Sequence, residues 1–351
     1  MRVHKYVLSP QRYFTSCLPA SGLDALVARA PLTELAATLM ADRPCRRAAL
    51  AGLAGEAAAG LLAAGLLREE AGQLRLAELQ LVSVQGIALF IDAAPLRAGA
   101  PIYPVPGPGL SSPLLAHHID VDRIPRGAAA LDLATGPGML ALFLARHAGR
   151  VVATDPSPER LQLAELNRAL ARRDALELRA ETTAATLARG ERFAVVTCNP
   201  WVAPFPAGLA GPVYAAEAGA DGLGPLREVV AALGDLLLPG GTAYLTADLP
   251  GDDGKPFFLT DLERAAAEQG LVADVYLEDR VDHRLNHGPL RGLANLVAFE
   301  QGCDRHQAFE RVKDHHLGTL GATCRYQAVM VLARRGGAGS RMRVLNRFQG
   351  A

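Results

Sequence analysis

The chain lacks any closely spaced cysteine pair. Its five cysteines (Cys17, Cys45, Cys198, Cys303 and Cys324) are an odd number with no C-x-x-C spacing. That argues against a disulfide framework or a four-cysteine zinc site, and makes the reduced cytoplasm the expected compartment. Net charge is missing too: Lys+Arg and Asp+Glu both total 36. A balanced chain has no electrostatic footprint for nucleic acid or an acidic membrane surface, so neither is expected as a partner. Lysine is nearly absent, with Lys5, Lys255 and Lys313 the only three. Beside so much Ala, Gly and Pro, that reads as the codon bias of a GC-rich genome. Long apolar runs are lacking as well. The greasiest stretch, residues 51–67, carries Glu56 and is too short and too rich in Ala and Gly to span a bilayer. No unbroken apolar segment follows Met1–Tyr6, so no secretory signal is expected.

What is present is half apolar and 351 residues long, enough for two domains. Residues 23–67 are dense in Ala and Leu with breaks at Pro31 and Pro44, which reads as several short helices. Leu67–Glu70 and Gln73–Leu76 flank Ala71-Gly72 as a hairpin, and Leu79 to Asp92 reads as extended. Short helices followed by a β wing predict a winged-helix-like or purely helical domain over 1–100. Four prolines in 101–109 (Pro101, Pro104, Pro106, Pro108) mark a linker and lead-in over 101–126.

From residue 127 the period changes to short apolar runs alternating with amphipathic helices. Candidate strands are 128–134, 150–154, 176–180, 193–198, 242–249, 273–277 and 327–334; candidate helices are 139–147, 158–172, 226–237 and 259–269. Strands apolar on both faces with helices between them predict an α/β domain over 127–335, built on an open, mostly parallel sheet. Such sheets bind ligands outside the carboxyl ends of their strands. Residues 336–351 read as a flexible tail.

The first turn is Asp132-Leu133-Ala134-Thr135-Gly136-Pro137-Gly138. Its glycines let backbone approach a ligand and open a helix N-terminus toward it. Asp155, 19 residues beyond Gly136, ends the second strand, where a carboxylate can accept both hydroxyls of a ribose. Gly136-x-Gly138-x-x-Ala141 is also compatible with a dinucleotide fingerprint. Asp132 lies inside the strand, where a nicotinamide fold gains nothing from a charge but an amino-acid ammonium would. Asn199-Pro200-Trp201-Val202 follows the fourth strand, and Gly219-Ala220-Asp221-Gly222-Leu223 with Arg227 precedes the next helix.

Together these motifs resemble the class I S-adenosylmethionine-dependent methyltransferases, which are Rossmann-like. The nearest branch is the one with Asn-Pro-Pro-aromatic after strand four, which includes release-factor glutamine and adenine-N6 methyltransferases. The resemblance spans roughly residues 110–335. It implies S-adenosylmethionine as methyl donor. Asp132 and the Gly136–Gly138 backbone would hold its methionine part, Asp155 its ribose and Glu181 (or Thr182 and Thr183) its adenine side, with Ala134, Thr135 and Asn199 also bordering the cofactor. Two departures stand out: Ala134 replaces the usual Gly, and Trp201-Val202 replaces Pro-aromatic. The displaced aromatic weakens the case for a nucleobase target.

The resemblance implies N-methylation of an amino or amide nitrogen, with Asn199, Pro200 and Trp201 as catalytic residues. The Asn199 side-chain carbonyl and the Pro200 backbone carbonyl would accept the acceptor's N–H hydrogens, favouring and aiming its lone pair. The expected acceptor is a small molecule or a protein side chain. Trp201, Tyr214, Glu217, His283 and His287 are candidate substrate contacts. Cys198 reads as a buried small hydrophobe. His283, His287 and His315-His316 read as solvated or capping side chains, and no metal is expected. Three rivals remain: a small-molecule O-methyltransferase with a His base, whose winged module builds a homodimer; a DNA-binding ligand sensor using Arg43, Arg46 and Arg47; and an NAD(P)-dependent oxidoreductase.

Overall fold

The computed structural model describes residues 38, 44–46, 62–63, 65–76, 79–92, 111–173, 175–200, 202, 204–206, 219–335 and 341–348. The chain divides into two compact units, residues 1–83 with 88–107, and residues 84–87 with 108–351. Among the described residues no helix is long and apolar enough to cross a membrane.

In the first unit β1 (Cys45–Arg46) pairs antiparallel with β3 (Gln73–Leu76), which pairs in turn with β2 (Leu67–Glu70). The β2–β3 turn is Ala71-Gly72, as the sequence predicts, with both residues at positive φ. That is the sense of turn that follows the twist of a hairpin. β4 (Leu79–Val84) and β5 (Ile87–Asp92) form a second hairpin through Gln85-Gly86. The predicted helices before β2 fall almost wholly outside the described residues.

The second unit opens with α1 (Ser111–His118), inside the predicted linker. Then β6 (Ala129–Leu133), α2 (Met139–Leu144), β7 (Arg150–Thr154), α3 (Pro158–Leu170), β8 (Leu176–Arg179), α4 (Thr183–Ala188), β9 (Phe193–Cys198), α5 (Gly224–Leu236), β10 (Leu237–Gly251), α6 (Leu259–Glu268) and β11 (Val272–Asp282) alternate. Two further helices, α7 (Gly288–Gln301) and α8 (Arg305–Asp314), precede β12 (Cys324–Ala333) and β13 (Arg341–Asn346).

The eight strands lie in the order β13-β11-β12-β10-β9-β6-β7-β8. All run parallel except β12, which inserts antiparallel between β10 and β11. The chain steps outward from β6 to β8, then returns to lay β9 on the other side of β6. The switch point therefore falls between β6 and β9, where a crevice opens at the carboxyl ends of the strands. Leu131, Leu133, Val152, Val196 and Leu245 are fully or almost fully buried, and α5 contributes Leu226, Val230 and Leu233 to the same core cluster. Helices covering the sheet explain why these strands read as unbroken apolar runs.

The tail differs from expectation. Residues 341–346 are not loose but pair with β11 as an edge strand. Arg343 salt-bridges Asp274, Arg347 bonds Glu278 at 3.2 Å, and its guanidinium lies 4.5 Å from the centre of the Tyr276 ring. Those side-chain anchors carry no apolar period, which is why the strand is invisible in the sequence.

Candidate active site at the switch point

Leu133 pairs with Cys198 across the switch point, so Ala134 and Asn199 leave neighbouring parallel strands side by side. The glycine turn and the Asn199-Pro200 step thus meet in one crevice.

Asp132 is buried in β6. One carboxylate oxygen accepts from Thr135 Oγ1 at 2.6 Å and from the Ala141 amide at 3.1 Å; the other accepts from Thr197 Oγ1 at 2.7 Å. The last bond spans the β6–β9 boundary and ties the two loops together. Burial pushes the Asp132 carboxyl up to about 6, against the pull of its three hydrogen bonds. Most of its acceptor capacity goes to the turn itself, leaving roughly one lone pair for a ligand cation.

Asp155 follows β7 and is fully buried. Its Oδ2 accepts the Gly136 amide at 3.0 Å and its Oδ1 the Ser157 amide at 2.9 Å. Each oxygen keeps a lone pair, which suits the ribose role. Gly136 and Gly138 sit at φ +54° and +86°, and Gly138 closes the turn by donating to the Thr135 carbonyl at 2.9 Å. Behind Gly138 stands Ala164 of α3, 3.5 Å from where a Cβ would lie. Glu181, just after β8, is gripped by Arg189 through Oε1, while its Oε2 is buried with no hydrogen-bond partner. A buried acceptor without a donor fits a ligand amino group there.

Asn199 is half-buried at the end of β9. Its side-chain NH2 donates to Ser111 Oγ at 3.0 Å and Ser112 Oγ at 2.8 Å, both at the start of α1. Sequence reasoning missed these serines, since nothing in a lone Ser-Ser pair 87 residues upstream announces the contact. Pro200 is buried beside it. Val202 packs against the core, and the Cys198 thiol is pushed well up by burial. Trp201, Tyr214 and Glu217 lie outside the described residues. Asp221 with Arg227 is a bidentate pair at 3.0 and 2.6 Å that braces the start of α5.

The histidines depart from expectation. His283, His315 and His316 are buried, not solvated, where the turn after β11 and the π-helical turn after α8 meet. The His283 and His316 rings stand edge to face with centroids 5.5 Å apart. His316 Nε2 bonds the Pro204 carbonyl at 3.0 Å and His315 Nε2 the Ala220 carbonyl at 2.7 Å, so the cluster packs on the segment following β9. Nδ1 of both His283 and His316 is buried without a partner. Burial lowers His283 to about 4 and His316 to about 3, so both rings are neutral at pH 7. His287 stands apart, against Phe309 with ring centroids 5.7 Å apart. The potential ligand group Asp253, Asp282 and Cys324 is threaded by Arg280 and Arg284, whose guanidinium groups occupy those oxygens.

Sheet order, switch point and glycine turn define a Rossmann-like α/β domain. Residues 130–208 match the family model of a methyltransferase domain. The release factor glutamine methyltransferase of Mycolicibacterium smegmatis is 35% identical over 136 residues, 36% of this chain. The chain spans 48% of that relative's length. Among solved structures, the YcgJ protein of Bacillus subtilis is 13% identical with a TM-score of 0.43, covering 65% of this chain and 99% of its own. Trm5b of Pyrococcus abyssi is 14% identical with a TM-score of 0.42, covering 76% and 62%. The match of residues 130–208 marks a methyltransferase domain in this unit, a kind of domain whose methyl donor is S-adenosylmethionine.

Proposed function

We propose that the chain N-methylates an amino or amide nitrogen of a small metabolite or a protein side chain. The observation that supports this reading is the register placing Asn199-Pro200 beside the glycine turn across the switch point. Glu181 Oε2, Asp155 and the Gly136–Gly138 backbone would hold the donor. When bound, S-adenosylmethionine would supply an electrophilic methyl on a sulfonium, exchanging its C–S bond for the acceptor's new C–N bond and leaving as a neutral thioether. The chain's own part is positional. Asn199 Oδ1 and the Pro200 carbonyl accept the acceptor's hydrogens and aim its lone pair, and the surplus proton leaves to water afterwards. Balanced charge favours a metabolite or protein acceptor over a polyanion.

The test uses methyl-labelled S-adenosylmethionine with lysate fractionated into small molecules, proteins and nucleic acids, comparing wild type with Asn199→Ala. Label in the small-molecule or protein fraction, lost with the variant, supports the proposal. Label confined to nucleic acid, or no transfer together with no S-adenosylhomocysteine binding, overturns it. A second reading, O-methylation with a histidine base, draws on the unpartnered Nδ1 of neutral His316. It predicts activity that survives Asn199→Ala and is lost in His316→Gln.

A further inference from the structure

The contact between Asn199 and α1 fixes which end of the amide faces the crevice. A primary amide has two N–H donors and a carbonyl with two lone pairs. In this chain both donors are directed at serine hydroxyls, one on Ser111 and one on Ser112, at 3.0 and 2.8 Å. Ser112 is buried, so its hydroxyl is not exchanging freely with water. With its NH2 so committed, Asn199 can offer the crevice only Oδ1.

We propose that Ser111 and Ser112 are positioning residues that lock the polarity of the Asn199 amide, and so restrict the methyl acceptor to one carrying a hydrogen on its reacting atom. An amide NH2 or an amine with an N–H satisfies Oδ1. A carboxylate, a thioether or a tertiary amine brings lone pairs to an acceptor and leaves both unsatisfied, a mismatch that recognition sites built on hydrogen bonds reject strongly. The selectivity rests on the N-methyltransferase reading above; the lock itself does not.

The amide hydrogens report the lock directly. The Asn199 side-chain NH2 resonance is assigned in a transverse-relaxation-optimised 15N–1H spectrum of the full chain by its loss in Asn199→Asp. Its exchange with water is then measured in wild type, in Ser111→Ala/Ser112→Ala and in Ser111→Thr/Ser112→Thr. We expect slow exchange in wild type, at least tenfold acceleration in the alanine pair and recovery in the threonine pair. Exchange in wild type as fast as a solvated asparagine means the amide is turned over, and overturns the proposal. So does exchange unmoved by the alanine pair. In the labelled-methyl assay, transfer should fall about tenfold in the alanine pair and return in the threonine pair, the loss of roughly one net hydrogen bond of orientation. Undiminished transfer by the alanine pair also overturns the proposal. If wild type transfers no label at all, the functional reading fails while the exchange rates still decide the lock.

Discussion

Ala134 carries the strain of the glycine turn after β6. Its φ is +52°, in the left-handed region where a Cβ crowds the following carbonyl. Glycine would relieve about 1–2 kcal/mol of that crowding and return about 0.5–1 kcal/mol to the unfolded chain's freedom. Ala134→Gly should therefore raise stability by about 0.5–1 kcal/mol, roughly 2 °C in melting midpoint for a unit of this size. A thermal scan showing no change or a drop would mean the turn is not held in that conformation. Thr197 tests the tie across the switch point from the other side. Thr197→Val keeps the shape but removes a donor from the buried Asp132 carboxylate, and should cost about 1.5–3 kcal/mol in a urea titration. A loss below half a kilocalorie would mean that Thr135 and the Ala141 amide suffice.

Elements differ in how much of themselves they write into the sequence. The bounds of β7 and β9 match the predicted 150–154 and 193–198 residue for residue, because burial on both faces forces an apolar run that Gly149 and Arg192 interrupt. α7 and α8 were missed, although their punctuation is there: Pro289 near the start of α7, Gly302 in the left-handed conformation at its end, and Asp304 accepting the Gln307 amide at 2.9 Å. What hid them is mixed polarity. α8 reads Arg-His-Gln-Ala-Phe-Glu-Arg-Val-Lys-Asp, with only Ala308 and Val312 buried, too thin a stripe to see as a period. The same holds for the site. Asp132, Gly136, Gly138, Asp155 and Asn199 stand out by type and spacing. Ser111 and Ser112 do not, and His283, though singled out by type, gives no sign of its pairing with His316, because tertiary contacts alone make these groupings. The cap gives an element-scale prediction: Asp304→Ala should lower stability by about 1 kcal/mol through loss of the α8 cap. An unchanged urea midpoint would show that packing on α7 alone holds α8.

At the scale of the whole molecule, buried histidines and a buried aspartate pull the pH dependence in opposite directions. His283 and His316 fold with values near 4 and near 3, below an unfolded value of 6.5. The unfolded chain therefore binds protons that the native chain refuses. Their contribution is whole above pH 6.5 and drains as pH falls toward 4, by up to about 1.4 kcal/mol per pH unit for each ring. Asp132 folds near 6 against an unfolded 3.8, so its native form favours the proton and its contribution is lost as pH rises through 6. Between pH 7.5 and 5 the histidines together remove about 4 kcal/mol and Asp132 restores a little over 1, a net loss of about 2–3 kcal/mol. This interval lies above the range where exposed carboxylates paired with arginine protonate, so their acid loss is not mixed in. Urea titrations at the two pH values should show that loss in wild type. In His283→Gln/His316→Gln the slope should reverse, leaving the variant slightly more stable at pH 5 than at pH 7.5 through Asp132 alone. A wild type whose stability is flat across the interval would mean that the histidine cluster is wet. In that case the inserted helices do not seal the ground behind the segment after β9, and the two Nδ1 atoms have water for partners.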